Sequence, residues 1–203
     1  MSDVNTISKQ AQDQKRRDAQ KAKVNEAVAK ADIERGLLLV ITGNGKGKST
    51  AGFGNITRAL GHYQQVAVVQ FVKGNLACGE RNLLSRLGVP FHTMNTGFSW
   101  DSKDPSNDKL AAQQAWAQAK LWLADPHYDV ILLDELTYMI TWGFIELDDV
   151  LNTLANRPTE MSVIITGRAA HRDLKDLADT VSEVRPEKHA FQQGLKARIG
   201  IDW

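Results

Sequence analysis

Apolar residues in this chain fall into short unbroken runs, and stretches with helical spacing lie between them. The runs at 37–41, 66–72, 129–134 and 162–166 are dense in Val, Ile and Leu and read as buried strands. Residues 89–94 form a plausible further short strand. Between them, 106–124 carries Ala112, Trp116, Ala119 and Leu123 near helical spacing. Residues 51–60, 147–155 and 171–178 also read as helices, the second closed off by Asn156, Arg157 and Pro158. Strands that are apolar on both faces and separated by helices predict an α/β fold of three layers, with a mainly parallel central sheet covered on both sides. Residues 1–35 differ. They contain no Gly or Pro, few large apolar residues and many Lys, Arg, Gln, Asp and Ala. They favour helix but can bury little alone, so they read either as a frayed tail or as a helical extension that docks on a ligand or a partner subunit. The rest, 36–203, reads as one ligand-binding domain.

One motif turns this outline into chemistry. Gly43-Asn44-Gly45-Lys46-Gly47-Lys48-Ser49-Thr50 follows the first strand and opens the first helix of the domain. Strand, glycine loop and helix are the setting of a nucleotide-phosphate loop, and the fold class sharpens to a P-loop NTPase-like (RecA-like) domain. Glycines let successive backbone N–H groups turn onto an anion, and the helix start adds its positive dipole end. Lys48 is placed to neutralise phosphate oxygens, and the Ser49 hydroxyl to ligate Mg²⁺ (or Mn²⁺). The usual spacing G-x-x-x-x-G-K-[ST] puts a glycine where Thr42 stands, so the loop counted from Gly43 is one residue short. As a bare turn with a solvated lysine, the motif leaves the Lys-Ser helix start unexplained.

Asp134 closes the strand that contains Val130 to Leu133, the second signal of a nucleotide site, where an aspartate serves the metal. Glu135 follows it, as a water-orienting carboxylate or a metal neighbour. Thr166-Gly167-Arg168 ends another strand on the same sheet edge, and Arg168 can fork onto polyphosphate oxygens. Arg58 and Lys73 face either the nucleotide or solvent. Phe98 and Trp100 lie in a polar loop where both could stack on a flat ligand, against the commoner fate of core packing.

Composition narrows the alternatives. With 25 Lys+Arg against 24 Asp+Glu, no nucleic-acid partner is expected. Cys78 is the lone cysteine, which fits a reducing cytoplasm and excludes an intramolecular disulfide. The five histidines His62, His92, His127, His171 and His189 show no metal-ligand spacing, and no serine or cysteine triad is legible. No apolar run approaches the roughly 20 residues of a membrane span, and the polar N-terminus lacks the apolar core of a signal peptide. A cytoplasmic protein without a membrane partner is expected.

The loop from Thr42 to Thr50 resembles the short phosphate loop of ATP:corrinoid adenosyltransferases of the cobalamin-salvage (CobA/BtuR) type. Val69-Gln70-Phe71-Val72-Lys73-Gly74, Gly79-Glu80-Arg81-Asn82-Leu83-Leu84, Thr96-Gly97-Phe98-Ser99-Trp100, Leu133-Asp134-Glu135-Leu136-Thr137-Tyr138 and Ile165-Thr166-Gly167-Arg168 are similar to further family motifs. The likeness runs on through His171-Arg172-Asp173, 178–183 and Lys188-His189-Ala190-Phe191. It implies that Co(I) of a reduced corrinoid attacks the 5′ carbon of ATP and that inorganic triphosphate leaves. It implies that Gly43 to Ser49 cradle triphosphate, with Thr50 beside them, and that Arg58 and Arg168 touch nucleotide or triphosphate. Ser49 and Asp134 would serve the metal, with Glu135 near metal and ribose, and Phe98 and Trp100 would press on the lower face of the corrin ring. It also implies a homodimer, an N-terminal helix over a neighbouring active site, and a reduced flavodoxin-like protein as electron donor. Asp125-Pro126-His127 starts like a D-x-H-x-x-G cobalamin motif, but Val130 replaces the glycine. An ATPase or kinase releasing ADP or phosphate, and a binding module without chemistry, are the competing readings.

Overall fold

The computed structural model describes residues 2–72, 78–94 and 105–202, with backbone alone for 2–11 and 105. The chain divides into two compact units, Met1–Glu34 and Arg35–Trp203. The first holds one helix, α1 (Ser2–Lys30). Its described side chains are exposed, Val24 and Val28 among them, and its surface carries i,i+4 pairs such as Lys30–Glu26 at 2.7 Å.

The second unit is built on six parallel strands. In chain order they are β1 (Leu38–Thr42), β2 (Val66–Gln70), β3 (Phe91–Thr93), β4 (Val130–Asp134), β5 (Ser162–Thr166) and β6 (Thr180–Glu183). Their order across the sheet is β3-β2-β4-β5-β1-β6. The helices are α2 (Lys48–Gly61), α3 (Gly79–Arg86), α4 (Pro105–Leu123), α5 (Leu136–Thr141), α6 (Leu147–Ala155) and α7 (Arg172–Leu177), with a 3₁₀ turn at Ala190–Gln193.

Alternation along the strands divides the core into two layers. Val40, Ala67, Val69, Ile131, Leu133, Val163 and Ile165 pack with Trp116, Ala119 and Leu123 of α4, Met139 of α5, Val150 and Leu154 of α6 and Leu174 of α7. Ile41, Val66, Val68, Val130, Leu132 and Ile164 pack with Phe53 and Ile56 of α2 and Leu84 of α3. The three layers expected from the apolar runs are therefore present. Close contact between α2 and the sheet is set at Gly52, where a Cβ would come within 2.9 Å of Leu132 Cδ1 and 3.1 Å of Thr166 Cγ2.

Two elements escape the sequence pattern. β6 is an edge strand with every residue exposed, so no apolar run announces it. Its register against β1 is supported just upstream by Asp179, which accepts from Leu38 N at 2.8 Å and from both terminal nitrogens of Arg35. α5 is under two turns long and follows an N-cap at Glu135, too short for a helical period to register. The strand read as 66–72 ends earlier, at Gln70, although Phe71 and Val72 stay buried.

Because all six strands run the same way, their carboxyl ends share one edge. Each ends on a polar residue: Thr42, Gln70, Thr93, Asp134, Thr166 and Glu183. Ligands of open parallel sheets bind at that edge.

Candidate active site

The glycine loop joins β1 to α2 at this edge. Gly43 and Gly47 adopt φ of 101° and 112°, which side-chain-bearing residues rarely reach. Gly47 is the N-cap of α2 and no side chain caps the helix. The first turn of α2 thus offers an anion site of the expected kind. Lys48 is buried, and its Nζ donates to Gly45 O at 2.7 Å, so the ammonium folds back over the loop. Ser49 is half-buried; Asn44, Lys46 and Thr50 are exposed.

The loop's underside is held by the segment after β6. Val184 N donates to Thr42 O at 2.8 Å, and Gly45 N donates to Val184 O at 2.7 Å. A Cβ on Gly43 would overlap Val184 O, and one on Gly45 would lie 2.8 Å from Val184 Cγ1 and O. These two glycines therefore serve the packing of the strap as well as the phosphate site. Lys46 pairs with Asp202 at 2.7 Å, which ties the top of the loop to the C-terminal turn. Lys46 and the backbone amide of Arg198 both hold the Asp202 carboxyl below the usual range.

Asp134 lies on β4, two strands from β1, with β5 between. It is 1% exposed. Its Oδ1 accepts from Thr166 Oγ1 at 2.7 Å and its Oδ2 from Gln70 Nε2 at 3.1 Å. Thr166 Oγ1 also accepts from Glu135 N at 2.9 Å. β5 thereby sets both the carboxylate and the start of α5. Two left-handed residues follow the strand ends, Glu135 at φ 64° and Ala169 at φ 50°. Such backbone is costly and clusters at functional sites. Thr137 Oγ1 donates to Arg168 O at 2.7 Å, which holds the β5–α7 turn against α5. Arg168 itself is exposed. Its charge reaches Tyr138 and opposes the upward push that burial gives that phenol.

The structure thus gathers Gly43, Gly45, Gly47, Lys48, Ser49, Asp134, Glu135 and Arg168 at one edge of the sheet. Arg58 is not gathered with them. It sits in the last turn of α2, ten residues from Lys48 and about 15 Å along the helix axis at 1.5 Å per residue. There it is exposed and donates to Asn55 Oδ1 at 3.4 Å. Phe98, Trp100 and Lys73 lie outside the described residues. Gln70 and Thr166 were legible only as parts of longer motifs. The rule that every strand ends on a polar residue would have singled them out.

The donors suit a hard cation. Asp134 is a buried carboxylate held by two neutral groups, and the Ser49 hydroxyl stands at the helix start. Among the described residues no three His, Cys, Asp or Glu side chains form a metal cluster. A Mg²⁺-like ion, which keeps waters and takes phosphate oxygens, needs few protein ligands.

A phosphate loop on one strand and a buried carboxylate two strands away, on a parallel sheet, make this a P-loop nucleotide-binding protein of the three-layer α/β class. Within that class the match is specific. The family model for ATP:corrinoid adenosyltransferase BtuR/CobO/CobP covers residues 34–203, and the chain belongs to that family. Corrinoid adenosyltransferases of Escherichia coli K12 and Salmonella typhimurium LT2 are 53% and 51% identical to it, over 94% of this chain and 97% of each relative. The corrinoid adenosyltransferase of Pseudomonas aeruginosa is 44% identical, over 93% of this chain and 94% of its own length. The flagellar accessory protein FlaH of Methanocaldococcus jannaschii shares 14% identity at a TM-score of 0.47, over 74% of this chain and 72% of that one. That likeness is too loose to add to what the sheet itself shows. The resemblance read from the loop and strand-end motifs is borne out, and with it the assignment as an enzyme. No helix among the described residues is long and apolar enough to cross a membrane.

Proposed function

We propose that the edge of the sheet transfers the 5′-deoxyadenosyl group of ATP to Co(I) of a reduced corrinoid. The Co–C bond forms with the electron pair of Co(I), the 5′ C–O bond breaks, and inorganic triphosphate leaves. The observation that carries this reading is the family match over 34–203, with the short loop and Asp134 inside it. The chain then needs no nucleophile or general base of its own, because the corrinoid supplies the electrons. Its task is to orient two substrates and stabilise a highly charged leaving group.

Gly43 to Thr50 cradle the triphosphate through backbone N–H groups, and Lys48 swings from Gly45 O to phosphate oxygens. Arg168 adds charge from β5. Mg²⁺ or Mn²⁺, held by Ser49 and Asp134 with Glu135 nearby, would neutralise charge on the departing triphosphate when bound. Arg58 would act only if the nucleotide extends along α2. Phe98 and Trp100 press on the lower corrin face and remove an axial ligand, which eases reduction of Co(II) by a flavodoxin-like donor. A homodimer is supported by the exposed β6 edge and by exposed Phe191, Leu195, Ile199 and Ile201 in the C-terminal segment. Residues 1–35 would reach over the active site of a partner subunit, and the protein works in the cytoplasm in cobalamin salvage or biosynthesis.

Lys48→Ala tests the loop. Transfer should fall by 10²-fold or more, on the scale of losing one charge-stabilising donor, with tryptophan fluorescence unchanged. Near-normal transfer in the variant would remove the loop from the mechanism. Corrinoid-independent release of ADP by the native chain would favour the ATPase reading.

A further inference from the structure

Among the described residues one buried side-chain atom has no hydrogen-bond partner, Oε1 of Gln70. The residue is fully buried at the end of β2. Its Nε2 is engaged with Asp134 Oδ2 at 3.1 Å, and that bond fixes the amide's orientation. A flipped amide would set two acceptors face to face. In the parallel register Gln70 lies opposite Asp134 on one side and Thr93 on the other. The unpartnered oxygen therefore sits within the polar row at the carboxyl edge.

A buried acceptor without a donor is destabilising, and an apolar residue of the same size would avoid the cost. Thr166 makes the contrast plain. Its hydroxyl donates to Asp134 and accepts from Glu135 N, so both of its functions are used within the fold. Gln70 uses one and leaves one open.

We propose that Gln70 is a positioning residue of the nucleotide–metal site. Its Nε2 aims the Asp134 carboxylate, and its Oε1 accepts from a hydrogen donor of the bound metal–nucleotide complex. This rests on the reading of Asp134 given above. Carboxylates that hold a divalent ion are themselves hydrogen-bonded, and loss of such a partner weakens metal affinity about 10- to 100-fold.

The test uses the full chain with Gln70→Met, a side chain of similar length without polar atoms. ATP affinity is measured by calorimetric titration in Mn²⁺ and again in EDTA, and water-proton relaxation reports Mn²⁺ in the ternary complex. The expected result is an ATP affinity about 10-fold or more weaker in Mn²⁺ and within about twofold of native in EDTA, with a weaker relaxation signal. Unchanged affinity in Mn²⁺ in a folded variant overturns the proposal. An equal loss in Mn²⁺ and EDTA also overturns it, since it marks a general role at the strand end. Should Gln70→Met fail to fold, Gln70→Asn, one methylene too short to reach, is read by the same outcomes. A native chain that gains nothing from Mn²⁺ would instead overturn the reading of Asp134 itself.

Discussion

Replacing Thr166 by Val removes a hydroxyl and keeps the shape of the side chain. In the native chain that hydroxyl donates to Asp134 Oδ1 at 2.7 Å and accepts from Glu135 N at 2.9 Å, in a fully buried position. A hydrogen bond to a charged group contributes about 1.5–3 kcal/mol, and the neutral bond from Glu135 N about 1 kcal/mol more. Gln70 offers little compensation, since its bond to the other carboxylate oxygen is already made and longer, at 3.1 Å. The sum is about 3 kcal/mol, a large share of the roughly 5–15 kcal/mol that holds a typical domain folded. All five tryptophans lie beyond residue 34, so their fluorescence follows the α/β unit alone. With a urea slope of about 3 kcal/mol per molar, the midpoint should fall by about 1 M at constant slope. A midpoint within about 0.2 M of native would refute the reasoning, because a shift of that size is within the usual effect of a surface substitution.

Other substitutions probe the remaining parts. Gly43→Ala, at φ 101° and against Val184 O, should displace the strap from the loop and weaken ATP binding, measured by calorimetry. In the free chain Gly47→Ala has no atom within 4 Å of the added Cβ and carries only the backbone penalty, so similar losses of folding stability in the two variants, measured by urea unfolding, would contradict the strap argument. Arg35 holds the Asp179 carboxyl below the usual range, so its stabilisation is complete above about pH 4 and is lost as pH falls through the lowered value. Asp179→Asn should therefore melt earlier than native at pH 7, with the gap closing toward pH 2, and a gap that widens on acidification would contradict this. Phe98→Ala and Trp100→Ala should slow transfer that starts from Co(II) while leaving ATP binding intact; unchanged turnover would discard their role.

The central sheet was legible because its inner strands carry unbroken aliphatic runs, which survive any uncertainty in their ends. Residues 147–155 and 162–166 coincide with α6 and β5, and 106–124 with α4 to within a residue at each end. β6 was not legible, since an exposed edge strand is selected by its register with β1 and by Asp179 rather than by hydrophobicity. α5 was hidden because its start depends on a left-handed Glu135 held by a hydroxyl 31 residues away. The loop, Asp134 and Arg168 were legible as local motifs. The Gln70 and Thr166 bracket and the Val184 strap were not, because each joins residues far apart in the chain.

The most direct test of the central claim is an anaerobic reaction with ATP carrying one label in the adenosine and another in the γ-phosphate, with chemically reduced cob(I)alamin and Mg²⁺. The adenosine label should pass to the corrinoid as its spectrum changes, and the γ label should appear in intact triphosphate in equal amount. An adenosine label left in ADP, with the γ label in orthophosphate and no cobalt–carbon bond formed, would contradict the account.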